Sequence, residues 1–261
     1  MLCLDRAQGD AHQELKVAID FCKGGLLAID ISNYTIEERF IPIFLLLDTS
    51  ASMNTLMPGG QTRLECLDVC VRLMIDLLKE QARLENFSKL AIITFGLNGV
   101  ALYTSLSKIE TIHFKPLSAG GGNTPLGGAL RLARDLIHDK TTFLEKFYTP
   151  YTILVSDGEP NDAWEEPLHD FIHNKENRSS KSVRYSVFIG ERGKEPQAIK
   201  DFSGENIFYA DNVDSLIQCF KAITTAVTQK VSPTFAKNPP LQNTNAHNDI
   251  LDDLDRQIDE L

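Results

Sequence analysis

IPIFLLLD, residues 41–48, is apolar at seven consecutive positions and then ends on an aspartate. A strand with one wet face alternates in polarity. A run without a polar position is what a parallel strand looks like when helices cover both faces of its sheet. Four further stretches read in the same way: LAIITFG (90–96), VALYTS (100–105), YTILVSD (151–157) and VRYSVFIG (183–190). Helical patterns lie between them. Thr62 and Glu65 form a T-x-x-E capping box. Leu64, Leu67, Val71, Met74, Leu77 and Leu78 then recur at helical spacing. Thr124-Pro125 reads as an N-cap followed by proline at the first helical position, with Leu126, Leu130, Ala133 and Ile137 as the apolar stripe. A last helix starts near Asn212 and uses Leu216, Phe220, Ile223 and Val227. The order is strand, helix, strand, strand, helix, strand, helix, strand, helix. It predicts an α/β fold, a doubly wound and mostly parallel sheet with helices on both faces.

The alternation occupies residues 39–230. Residues 1–38 form an N-terminal extension, charged except for the mixed stretch LKVAIDFCKGGLLAIDI (15–31). Residues 231–261 form a polar, acidic tail. The length of 261 residues suits one domain with extensions. A net charge of −10 argues against a nucleic-acid partner, which would need a basic face. No apolar run approaches the roughly 20 residues of a membrane span. The start, MLCLDRAQGDAHQE, is acidic where a signal peptide would be apolar. Five scattered cysteines do not form a disulfide framework and read as reduced thiols. Together these features predict a cytoplasmic protein.

Two of the apolar strands end alike, FLLLD at Asp48 and ILVSD at Asp157. A buried strand has no use for a terminal aspartate, whereas open α/β sheets hold their ligands beyond the carboxyl ends of the strands. Asp48 opens D-T-S-A-S, with hydroxyls at every second position, Ser50 and Ser52. In an extended loop alternate residues point the same way, so the three oxygens converge. Thr124 sits in a second loop, GGGNTPLGG (120–128), where it also competes for the role of helix cap. Oxygen donors of this kind suit Mg²⁺, or Mn²⁺, better than zinc. Mg²⁺ takes about six ligands and keeps several waters. An ion surrounded by hydroxyls and water-bridged carboxylates would still attract a carboxylate from outside.

D-T-S-A-S, a threonine in a glycine-rich loop and S-D-G after a strand resemble the metal ion-dependent adhesion site of von Willebrand factor type A domains. The resemblance covers residues 41–228, and its wording is most similar to the bacterial TerY-like branch associated with tellurite and stress resistance. It implies that Ser50, Ser52 and Thr124 bind the metal directly or nearly so. Asp48 and Asp157 would act largely through waters, and an Asp or Glu of a partner protein would complete the shell. It also implies a phosphosignalling or stress-response assembly with a Ser/Thr kinase and a metal-dependent phosphatase. Ala51 and Ser156 stand where glycine and threonine are common in the family, and neither change removes an oxygen ligand. Two other readings are a Mg²⁺-dependent hydrolase or phosphatase and an adaptor of an AAA+ ATPase machine. The motif loops hold no lysine or histidine for the former, so the site reads as binding rather than catalytic.

Other motifs carry less. GGGNTPLGG lacks the Lys-Ser/Thr ending of a phosphate-binding loop. DGEPND (157–162) has Pro160 at the fourth position of a would-be calcium loop and Leu168 at the twelfth, where such a loop needs glutamate. His169 and His173 share a helix face without a third zinc ligand, and read as solvated. Cys70 falls among core positions; Cys66 is left open. NKENRSSKSVR (174–184) reads as a solvated basic loop or a dock for an acidic partner. In the tail, Leu251, Leu254 and Ile258 recur at helical spacing among acidic residues. They fit either a disordered tail or a short helix that docks on a partner. A tail carboxylate could also enter the metal site.

Overall fold

The computed structural model describes residues 18–21, 25–28, 39–82, 87–139, 141 and 146–229. The tail residues Leu251, Leu254 and Ile258 lie outside them. The chain divides into two compact units, Met1–Glu38 and Arg39–Leu261. In the first, β1 (Ala18–Phe21) and β2 (Gly25–Ala28) pair antiparallel, with Ala18 opposite Ala28.

The second unit is built on β3 (Ile41–Thr49), whose nine residues are all buried. The chain then runs through α1 (Arg63–Ala82), β4 (Ser88–Gly96), β5 (Gly99–Lys108), α2 (Leu126–His138), β6 (Tyr151–Ser156) and α3 (Glu165–His173). It closes with β7 (Val183–Phe188), α4 (Gln197–Ser203), β8 (Ile207–Tyr209) and α5 (Val213–Gln229). The sheet order is β5-β4-β3-β6-β7-β8, parallel except at the β4–β5 pair.

Side chains alternate across a strand, and here both sets are apolar. Ile43, Leu45 and Leu47 of β3 join Ile153 and Val155 against Leu67, Val71 and Met74 of α1 and Phe220 and Ile223 of α5. Phe44 and Leu46 join Ile93, Phe95 and Leu154 against Leu130 and Ala133 of α2, Phe171 of α3 and Phe202 of α4. Burying one such side chain is worth about 1.5–3 kcal/mol. The polarity pattern of 41–48 therefore translates into two cores sharing one sheet.

Away from the loops at the ends of β3 and before α2, the structure departs from the sequence reading in three places. VALYTS is an exposed antiparallel edge rather than a buried parallel strand. Only Leu97 and Asn98 separate β4 from β5, which permits a hairpin and no crossover. Second, α4 and β8 add an element pair between β7 and α5; seven and three residues are too short to show periodicity. Third, the basic loop is partly structural. The Arg184 guanidinium donates to the carbonyls of Phe202 and Ser182, and Arg178 lies over the Phe147 ring.

Chain reversal puts a switch point beside β3. The helix after β3 leads to β4 on one side, and the helix after β5 leads to β6 on the other. Ligand sites of open α/β sheets lie outside the carboxyl ends of strands at such a point.

Candidate metal centre

Asp48 is fully buried, with its side chain at the carboxyl end of β3. Its Oδ1 accepts the Ser50 N–H at 2.8 Å, and its Oδ2 accepts the Ser156 hydroxyl at 2.6 Å. Ser156 is the last residue of β6, the parallel neighbour of β3. Burial pushes the Asp48 carboxyl above its ordinary value; the Ser156 and Ser50 donors oppose that rise, and nearby Asp157 adds to it. Both oxygens are thus committed to protein donors, which fixes the carboxylate's orientation.

From Asp48 the polar chain runs outward. Ser50 is extended, and residues Ala51–Asn54 then form a 3₁₀ turn instead of the extended loop read from the sequence. The hydroxyls still converge: Ser50 Oγ and Ser52 Oγ are 2.9 Å apart. Ser52, which is exposed, donates to Asp157 Oδ1 at 2.7 Å. Asp157 Oδ2 accepts from Arg63 Nη1 at 2.5 Å. Asp48, Ser50, Ser52 and Asp157 therefore belong to one cluster that reaches from the core to solvent.

Thr124 lies in a second loop and is half-buried. With Ser156 it lines one narrow cleft. The expected N-cap role is not observed. Pro125, at φ −80° and ψ 68°, stands outside helical geometry, and no side chain at that position caps α2. Asp162 caps the helix from another loop instead, accepting the Gly127 and Gly128 N–H groups at 3.1 Å each. Asn161 holds the threonine loop: its Oδ1 accepts the Thr124 N–H at 2.8 Å and its Nδ2 donates to the Gly122 carbonyl at 2.9 Å. The Thr124 hydroxyl is thereby spared from competing duty.

Two glycines let the loops approach. Gly96, at φ +144°, lies so close to β3 that a Cβ would sit 2.3 Å from both Ser50 N and Thr49 C. A Cβ on Gly127 would meet the Ala163 carbonyl at 2.6 Å. The Thr49 carbonyl accepts both the Leu97 and Gly120 N–H groups, joining the ends of β3 and β4 to the threonine loop. The capping box at the start of α1 forms as the sequence predicts: Glu65 Oε2 accepts the Thr62 N–H at 2.8 Å, and Thr62 Oγ1 accepts the Glu65 N–H at 3.1 Å. It fixes Arg63 as the first helical residue, facing Asp157.

Residues 43–159 match the family model of the von Willebrand factor type A domain. The described sheet has that domain's fold, mostly parallel strands flanked by helices. Solved structures agree in fold. The pilus adhesin SpaC of Lactobacillus rhamnosus GG superposes with a TM-score of 0.57 at 14% identity, over 74% of this chain and 31% of that one. The PilB minor pilin of Streptococcus sanguinis gives 0.56 at 15%, over 79% and 65%. Proximal thread matrix protein 1 from the mussel byssus, with a zinc-occupied MIDAS motif, gives 0.51 at 17%, over 73% and 46%. The matched region is thus about a third to two thirds of those chains. No curated protein sequence matches this chain.

The donor chemistry fits a hard divalent cation. Hydroxyls and carboxylates cluster, one carboxylate is held rigidly, and Ser52 opens to solvent. Among the described residues no group of three or more His, Cys, Asp or Glu could hold a metal. The His169 and His173 rings lie 4.9 Å apart on α3, tilted by 47°. Cys66, Cys70 and Cys219 are free and buried, which assigns Cys66 to the core beside Cys70. Among the described residues no helix is long and apolar enough to cross a membrane.

Sequence reasoning missed Arg63, Asn161, Asp162 and Gly96. Asn161 and Asp162 follow S-D-G closely, and polar residues just beyond a ligand loop are candidates for orienting it. Arg63 carries no local signal, because its partner is 94 positions away.

Proposed function

We propose that this chain is a metal-dependent protein-binding module. Ser50, Ser52 and Thr124, with Asp48 and Asp157 behind them, hold Mg²⁺ or Mn²⁺, and a partner's Asp or Glu completes the coordination. The observation that carries this reading is the continuous polar chain from buried Asp48 through Ser50 and exposed Ser52 to Asp157. The ion would supply a Lewis-acidic anchor for a carboxylate. The protein's part is to orient the oxygens. Zinc is the ion to test against Mg²⁺, since a neighbour of the same fold holds it in its MIDAS motif.

Binding is favoured over catalysis because both Asp48 oxygens and both Asp157 oxygens are engaged by donors. Neither is held in reserve as a general base. The TerY-like wording supports a stress-response or phosphosignalling assembly with a Ser/Thr kinase and a metal-dependent phosphatase. An AAA+ machine would use the same site with a different partner.

The test is affinity capture from a cognate lysate with wild-type and Ser52→Ala protein, each in Mg²⁺ and in EDTA. Partner capture should require both Ser52 and the metal. Equal capture in all four conditions would remove the site from the interaction. Sustained Mg²⁺-dependent hydrolysis of a generic phosphoester, abolished by Asp157→Asn, would replace binding with catalysis.

A further inference from the structure

Metal binding alone gives no role to one charged group at the site. Arg63 places a guanidinium nitrogen on Asp157 Oδ2, while Ser52 occupies Oδ1 of the same carboxylate. The Asp157 side chain is sealed from solvent and the Arg63 side chain is 26% exposed. The pair is anchored. Arg63 opens a capped helix, its backbone N–H donates to the Thr55 carbonyl at 3.0 Å, and Asp157 follows a buried strand. An arginine is always protonated, so its charge is permanent.

We propose that Arg63 is a resident counter-cation that makes metal binding and acidic-ligand binding depend on each other. This rests on the metal-site reading above. With both aspartates ionised, the site and Arg63 together carry one net negative charge. A divalent ion turns that into one net positive charge, which a single carboxylate neutralises. Without the arginine, the two aspartates alone would neutralise the ion, and an incoming carboxylate would meet no excess charge. Arg63 therefore repels the metal when it binds alone and strengthens the pull on a carboxylate once it is bound. By linkage, a carboxylate must then raise metal affinity by the same factor as metal raises carboxylate affinity. Arg63 is a positioning residue that acts through Asp157, and the ion need not touch it.

The two effects have opposite signs, which a merely structural role would not produce. Loss of a structural prop would weaken both. The experiment measures Mn²⁺ affinity by electron paramagnetic resonance for wild type, Arg63→Met and Arg63→Lys, each with and without acetate as the simplest carboxylate. Circular dichroism melts accompany each variant. Arg63→Met should bind Mn²⁺ about tenfold more tightly than wild type, within the usual span of coupling effects. Acetate should raise the Mn²⁺ affinity of wild type and leave that of Arg63→Met nearly unchanged. Arg63→Lys keeps the charge and should follow wild type in both respects.

Arg63→Met binding Mn²⁺ as wild type does, or more weakly, overturns the inference and leaves the metal site standing. So does Arg63→Lys behaving as Arg63→Met. Absence of Mn²⁺ binding in all three folded proteins overturns the metal site itself, and the inference with it.

Discussion

The carboxyl ends of β3 and β6 carry the same sequence device, an apolar run closed by an aspartate, and put it to different uses. Asp48 is sealed in the core, its oxygens held by a backbone N–H and by Ser156. Asp157 sits one residue beyond its strand, between exposed Ser52 and partly exposed Arg63. The difference follows from what covers each strand end. The end of β3 is covered by the close approach of Gly96 and by the Leu97 and Gly120 N–H groups on Thr49. The end of β6 faces the helix start that carries Arg63. One strand end is a fixed floor, and the other is where charge can be exchanged.

The largest effect should come from breaking the floor by its backbone. Gly96→Ala forces a Cβ into the Thr49–Ser50 peptide from a positive φ. It should cost about 3 kcal/mol or more in urea unfolding, from strain and overlap together. A loss below about 1 kcal/mol would show that the β3 end is not tightly seated.

Next comes the contrast between the aspartates. Asp48→Ala leaves a buried N–H and a buried hydroxyl without their acceptor and should cost about 3 kcal/mol. Asp157→Asn keeps an acceptor for Ser52, loses an ion pair whose arginine is partly exposed, and should cost roughly 1 kcal/mol. Equal losses by chemical denaturation would abolish the distinction between floor and exchange point.

Ser156→Ala sharpens the floor through pH. Asp48's folded value lies above its ordinary 3.8. Ionising it is therefore harder in the fold than in the unfolded chain, and its contribution to stability falls as pH rises from 3.8 through the raised value. Removing the Ser156 donor raises that value further. The variant's deficit should be small below pH 3.8 and grow to about 2 kcal/mol at neutral pH. A pH-independent deficit between the two melting series would detach Ser156 from the ionised carboxylate.

The smallest effect belongs to the second loop. Asp162→Ala removes the cap from Gly127 and Gly128 and should cost about 1 kcal/mol. It should also loosen the Thr124 loop, seen as faster amide exchange at residues 122–128.

The central strands were legible because β3 and β6 are apolar on both faces, and so short an unbroken apolar run suits a strand covered on both sides. The capping box at Thr62 and Glu65 was legible because both partners lie within one turn. What stayed hidden is mostly long-range. Asp162 caps a helix 35 positions earlier, and Arg63 pairs across 94. The Thr124-Pro125 signal misled because it is local, while the Asn161 and Asp162 side chains set the loop from outside. The orientation of β5 was written in its two-residue turn rather than in its composition. Of the proposed ligands, Asp48, Ser50, Ser52 and Asp157 share one hydrogen-bonded cluster. Thr124 stands apart from it, lining a cleft with Ser156, whose hydroxyl donates to Asp48.

The central claim is that this cluster binds a divalent cation through its exposed end. Isothermal titration of Mg²⁺ into wild-type and Ser52→Ala protein tests it directly, because Ser52 is exposed and its loss leaves the core intact. Wild type should show a single saturable site that disappears in a folded Ser52→Ala protein. Identical isotherms for the two proteins, or no saturable binding in wild type, would contradict it.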